Sequence, residues 1–142
     1  MRLIPFLLYL VMHFSHVAAE SRNNLTNAIT AVDANVVFLR HALAPGYGDP
    51  DNFSLGDCDT QRNLDAKGRQ QAIDIGAAIQ RSGFRFTQVF SSEWCRCKET
   101  TELMKLDKWR LFPGLNSFFQ GHVDKQDTLE MLSLKLEALT KG

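Results

Sequence analysis

The stretch Asn35-Val36-Val37-Phe38-Leu39-Arg40-His41-Ala42 decides how the rest of the chain is read. Its first part, residues 35–39, is short, β-branched and almost wholly apolar, which predicts a strand buried on both faces. It stops abruptly at Arg40-His41. Burying such a pair without compensation is costly, so a strand that ends this way should aim both side chains into a cleft.

Outward from that stretch, residues 44–61 contain Pro45, Gly46, Gly48, Asp49, Pro50, Asn52 and Gly56. This is loop chemistry, and the loop is long enough to form part of a site wall. Asp65 can cap a helix running to about Arg81, with Ala72, Ile75, Gly76 and Ile79 at helical spacing and Gly83 as its stop. Phe86 to Phe90 then reads as a second strand ending at Ser91-Ser92, and Glu93 to about Leu106 as a second helix. Trp109 to Leu115 is a candidate third strand with an end made ragged by Pro113 and Gly114. Lys125 to Leu139 should form a last helix that packs Leu129, Leu132, Leu136 and Leu139 into the core. Elements alternating in this way predict an α/β fold with a parallel sheet covered by helices.

Composition narrows the function. The 142 residues are 44% hydrophobic and 23% charged, which is ordinary for one globular domain and excludes disorder or a multi-pass membrane protein. Sixteen basic and sixteen acidic side chains cancel, and no run of Lys or Arg exceeds two. Nucleic acid is therefore excluded as a partner, and any phosphate recognition falls to a few focused arginines. Met1-Arg2, the apolar run Leu3 to Met12, and Val17 and Ala19 before Glu20 follow the grammar of a signal peptide cleaved after Ala19. The expected organisation is a signal peptide over 1–19, a polar lead over 20–34, and a domain over 35–142. The domain then faces an oxidising compartment, periplasmic or secreted, with no membrane contact after cleavage.

The cysteines Cys58, Cys95 and Cys97 are odd in number, so at least one is free or paired outside the chain. Cys95 and Cys97 stand two apart on a predicted helix and point to nearly opposite sides, so they should not bridge each other. Cys58 with Cys95, or Cys58 with Cys97, is the expected disulfide. Cys-x-Cys without a second ligand pair does not argue for zinc, and no metal is expected.

Two strand ends carry the chemistry. One delivers Arg40-His41, and the other delivers Ser91-Ser92 followed by Arg96 on the opening turn of a helix. A basic residue in a first turn opposes the helix dipole and invites an anionic partner. Two guanidinium groups around one imidazole suit a phosphate monoester, with the arginines holding oxygens while the neutral ring attacks phosphorus. Arg62 and Asn63 are candidate substrate contacts that could equally order the loop, and Trp94 reads as packing.

These segments also carry a resemblance. Val36-Val37-Phe38-Leu39-Arg40-His41-Ala42 resembles the strand and Arg-His-Gly signature of the histidine phosphatase superfamily, with Ala42 at the usual glycine. Leu64-Asp65-Ala66-Lys67-Gly68-Arg69-Gln70-Gln71-Ala72 is similar to the family's Leu-(Thr/Ser)-x-x-Gly-x-x-Gln-Ala block. Ser91-Ser92-Glu93-Trp94-Cys95-Arg96-Cys97-Lys98-Glu99-Thr100 is similar to its Ser-Ser-x-x-x-Arg-x-x-(Gln/Glu)-Thr block. The resemblance implies a three-layer α/β/α fold of the phosphoglycerate mutase type with a mostly parallel sheet. It implies His41 as nucleophile, Arg40 and Arg96 as phosphate ligands, a small phosphorylated substrate, and no cofactor.

It also implies a second histidine at the end of a later strand, which does not follow Leu139. The domain is thus expected to lack its C-terminal part. His122 lies in a polar turn and is not expected to replace that histidine, whereas Asp124 is the candidate general acid. The function expected is phosphomonoester hydrolysis through a phosphohistidine. The alternatives are a degenerate phosphate-binding member without turnover and a secreted structural domain cross-linked by its cysteines.

Overall fold

The computed structural model describes residues 26–106 and 108–140. The expected signal peptide lies outside them. Where a polar lead was expected, residues 26–31 form a short helix, α1, in which Thr30 Oγ1 donates to the Thr26 carbonyl at 2.9 Å. The described residues divide into two units, one of those up to Val37 with Ala78–Arg85, the other of Phe38–Ala77 with those from Phe86 on. Every residue of the candidate site belongs to the second.

Asp65 starts the next helix as predicted. Its Oδ1 accepts the Gly68 N–H at 2.7 Å, satisfying one of the donors that a helix start leaves without a partner. This helix, α2, runs Ala66–Ser82, and Gly83 closes it with a φ of 75°, a value that glycine adopts without a Cβ penalty. Strand β1 is Val89–Ser91, helix α3 is Cys95–Leu103, and strand β2 is Trp109–Leu111. The two strands pair in parallel, Val89 with Trp109, Phe90 with Arg110 and Ser91 with Leu111. The α3 crossover between them is the connection that a parallel pair requires. Both strands are shorter than expected: β1 starts only at Val89, and β2 ends at Leu111 before the chain turns into a single 3-10 turn, Pro113–Leu115.

The first expected strand is corrected. Residues 36–40 have no ladder partner among the described residues. Their side chains are not buried on both faces: Val37 is 49% exposed, Phe38 62% and Leu39 53%. An apolar run becomes a doubly buried strand only when it pairs into a sheet whose two faces are covered by helices, and the described sheet contains two strands, β1 and β2. The architecture is therefore α/β with a small parallel sheet.

The core beneath the site is built from small groups. Ala42, Ala44, Leu64, Ala72 and Met104 are buried together, with Ile75, Leu103 and Leu106 packed against them. Small residues let backbones approach closely: a Cβ on Gly68 would overlap the Leu43 carbonyl, and one on Gly76 would overlap Met104. The last helix, α4, runs Lys125–Thr140 and packs against the Pro113–Leu115 turn. Its leucine face is less buried than expected, since Leu129 is exposed and Leu132, Leu136 and Leu139 are only half-buried. Its main element contact is that short turn, with Lys135 lying over the Phe90 and Phe112 rings.

Candidate functional site

His41 is positioned by the two residues that follow it. The Ala42 N–H donates to Thr100 Oγ1 of α3 at 3.0 Å, and the Leu43 N–H donates to Gln71 Oε1 of α2 at 2.8 Å. Gly68 admits the Leu43 carbonyl against α2. The chain after His41 is thus pinned between two helices even though the segment before it pairs with nothing described.

The imidazole has a defined tautomer. Nδ1 lies 2.7 Å from the Ala42 carbonyl oxygen, which can only accept, so Nδ1 carries the hydrogen and Nε2 keeps its lone pair. Burial lowers the His41 pKa below the ordinary 6.5, the Ala42 bond opposes that shift, and the charges of Arg96, Arg62 and Arg40 add to the lowering. The ring is consequently neutral at neutral pH, the state in which it can act as a nucleophile.

Arg96 stands on the opening turn of α3 and is almost fully buried, with its side chain 7% exposed. Its anionic partner within the chain is Asp49, which the sequence reading missed. Nη1 donates to Oδ1 at 2.7 Å and Nη2 to Oδ2 at 3.2 Å. Nη1 also approaches the Arg62 carbonyl at 3.3 Å, while Nε is buried without a partner among the described residues. Asp49 receives two further donors, the Trp94 indole at 3.0 Å and the Arg62 N–H at 2.9 Å. Burial works against its ionisation, but the Arg96 pairing, the Arg62 amide and the Trp94 indole outweigh it and hold the carboxyl below its ordinary pKa. Gln120 fixes the same turn by accepting from the Asp49 N–H at 2.7 Å and donating to its carbonyl at 3.2 Å.

The loop over residues 44–64 is held from both ends. Arg62 gives Nε to the Gly48 carbonyl at 2.9 Å and Nη1 to the Ala44 carbonyl. Asn63 gives its amide group to the carbonyls of Cys58 and Gln61 at 2.6 and 3.1 Å. Both expected substrate contacts therefore order the loop, and the charge of Arg62 also acts on His41. The disulfide joins Cys58 to Cys95, with the Cα atoms 5.7 Å apart, and Cys97 is the free thiol, its pKa raised chiefly by burial. Gln61 Oε1 accepts the Cys95 N–H at 2.9 Å, so the loop caps α3 as well as being bonded to it covalently. Asn116 braces the two residues that lead into the α3 start, accepting from the Glu93 N–H and the Ser92 hydroxyl, each at 2.9 Å.

His41 lines a cavity of ≈ 530 Å3 together with Arg40, residues 42–44, Lys67 and Gln71. Arg40 is exposed in that wall. Asp124 is elsewhere: its carboxylate accepts the Asp127 N–H at 2.9 Å and caps α4. His122 stacks on Phe53 at 4.1 Å, and Phe53 stacks on Trp94 at 5.1 Å. The ring belongs to an aromatic column that ends on Trp94, the donor to Asp49, and its Nε2 is buried without a partner among the described residues. Trp94 itself is 1% exposed, in keeping with packing.

Among the described residues no group of three or more His, Cys, Asp or Glu could hold a metal ion, and no helix is long and apolar enough to cross a membrane. Asp49, Gln61 and Asn116 were not legible as site supports because each acts on a residue at least 23 positions away. A neutral ring with one free nitrogen, beside three guanidinium charges, can attack an electrophilic anion. The family model described as "Histidine phosphatase superfamily (branch 1)" matches residues 36–140. No curated protein and no solved structure matches the chain.

Proposed function

The chain belongs to the histidine phosphatase superfamily, branch 1, whose chemistry is phosphoryl transfer or hydrolysis, and from that premise we propose that it hydrolyses a small phosphomonoester through a phosphohistidine on His41. The bond between Nδ1 and the Ala42 carbonyl carries this reading, because it leaves Nε2 as the nucleophilic nitrogen. In the first step a P–N bond forms at Nε2 while the P–O bond to the alcohol breaks, and the departing oxygen takes a proton from water. In the second, water attacks phosphorus, the P–N bond breaks, inorganic phosphate leaves and the ring regains its lone pair. Arg40 in the cavity wall, with the charges of Arg62 and Arg96, offsets the charge on the equatorial oxygens. The Cys58–Cys95 disulfide supports an oxidising, periplasmic or secreted, location.

Release of inorganic phosphate from phenyl phosphate tests the proposal: the chain should turn over and His41→Ala should fall to the buffer rate. Turnover retained in His41→Ala contradicts it. One observation favours a second reading, a member that binds phosphate without hydrolysing it. Asp49 already takes both Nη groups of Arg96, so the main buried cation is neutralised from within. Calorimetric binding of inorganic phosphate with no detectable turnover would support that reading instead.

A further inference from the structure

The wall of the His41 cavity formed by α2 carries hydrogen-bond donors and no carboxylate among the described residues. Lys67 and Gln71 lie one helical turn apart and both line the cavity. Gln71 uses its acceptor, Oε1, on the Leu43 N–H at 2.8 Å, so what its side chain has left to offer is the N–H2 donor pair. Lys67 makes no ion pair among the described residues, and an ammonium only donates. Arg40, also in the lining, likewise has no ion pair among the described residues. No Asp or Glu lines the space; the nearest acid in sequence, Asp65, is engaged by the Gly68 N–H. At ≈ 530 Å3 the cavity is of the size that takes a whole small ligand, far more than one phosphoryl group.

Resting on the reading of His41 as the phosphoryl acceptor, we propose that the substrate carries a second oxyanion, a carboxylate or another phosphate, and that Lys67 with Gln71 binds it. The reacting phosphate then sits at His41 and Arg40, and the remote anion meets a wall of donors. A cationic leaving group finds no carboxylate among the described residues that line the space. Lys67 is exposed, which fits a group that recognises its ligand through charge and adapts to it.

Non-hydrolysable phosphonates test this without relying on turnover. Calorimetry would compare propylphosphonate, carboxypropylphosphonate and propane bisphosphonate against the full chain and against Lys67→Gln, an exposed substitution whose folding is checked by its melting curve. The wild-type chain should bind one or both of the doubly anionic compounds about tenfold more tightly than propylphosphonate, as for a hydrogen bond to a charged group. The ratio should fall towards one in Lys67→Gln. Preference for both compounds identifies the oxyanion in general, and preference for one alone identifies which source is read. Equal affinity for all three, or a preference that survives Lys67→Gln, overturns the proposal. Neither result bears on whether His41 is phosphorylated, so failure here is distinct from failure of the hydrolytic reading.

Discussion

Asp49 and Arg96, 47 positions apart in sequence, face each other end-on: Nη1 to Oδ1 at 2.7 Å and Nη2 to Oδ2 at 3.2 Å, with 4% and 7% of the two side chains exposed. This pair ties the loop after His41 to the start of α3. Removing the carboxylate leaves a buried guanidinium without its counter-charge and the Trp94 indole without its acceptor. Asp49→Ala should therefore destabilise the chain by about 3–5 kcal/mol. Urea denaturation would check it, and a loss below about 1 kcal/mol would show the pair to be incidental.

The disulfide closes the same loop by a covalent route. Cys58 and Cys95 are 37 residues apart, and a loop of that length restrains the unfolded chain by about 4 kcal/mol. Denaturation with and without reductant should differ by that order. Thiol titration of the unfolded, unreduced chain should find Cys97 alone, with Cys58 and Cys95 reacting only after reduction.

Gly68 makes a prediction opposite to helix propensity. Alanine in a helix interior is ordinarily better than glycine by about 1 kcal/mol, yet a Cβ at Gly68 would run into the Leu43 carbonyl. Gly68→Ala should destabilise by about 1–3 kcal/mol through overpacking and should also lower activity, because Leu43 lies two residues from His41. Thermal melts would decide the sign. Gly56→Ala, with open space around it, is the control that should change little.

The pKa of His41 is lowered in the folded chain, by burial first and then by Arg96, Arg62 and Arg40. As pH falls, the unfolded chain takes up this proton before the folded one does. The stability that His41 contributes is present above the ordinary value of 6.5 and is lost as the pH falls through the folded value. NMR titration of the ring should give a midpoint below 6.5, moving upward in Arg40→Met, whose exposed side chain can be replaced without disturbing the core. A midpoint at or above 6.5 in the wild type contradicts the cationic surroundings described here.

What could be read from the sequence divides along a physical line. The Asp65 cap and the Gly83 stop were legible because capping is settled within one turn of chain. The placing of Arg96 on the opening turn of α3 was legible for the same reason. Asp49 was not, because in Gly48-Asp49-Pro50 it looks like any turn aspartate, and its partners lie on α3. The cysteines narrowed to two pairings, and only the geometry of α3 against the loop chose Cys95. Residues 35–39 were misread because an apolar run records what it could bury and says nothing about which strand pairs with it or what covers its faces. The leucines of α4 misled in the same way.

The claim on which everything else depends is that His41 Nε2 takes the phosphoryl group, and it is tested most directly by acid-quenching nothing and instead trapping the adduct under alkaline denaturing conditions, where phosphohistidine survives. After brief exposure to a labelled aryl phosphate, peptide mass spectrometry should find one phosphoryl group on the peptide containing His41, absent from His41→Ala. Label on another residue, or equal labelling of His41→Ala, would contradict the account.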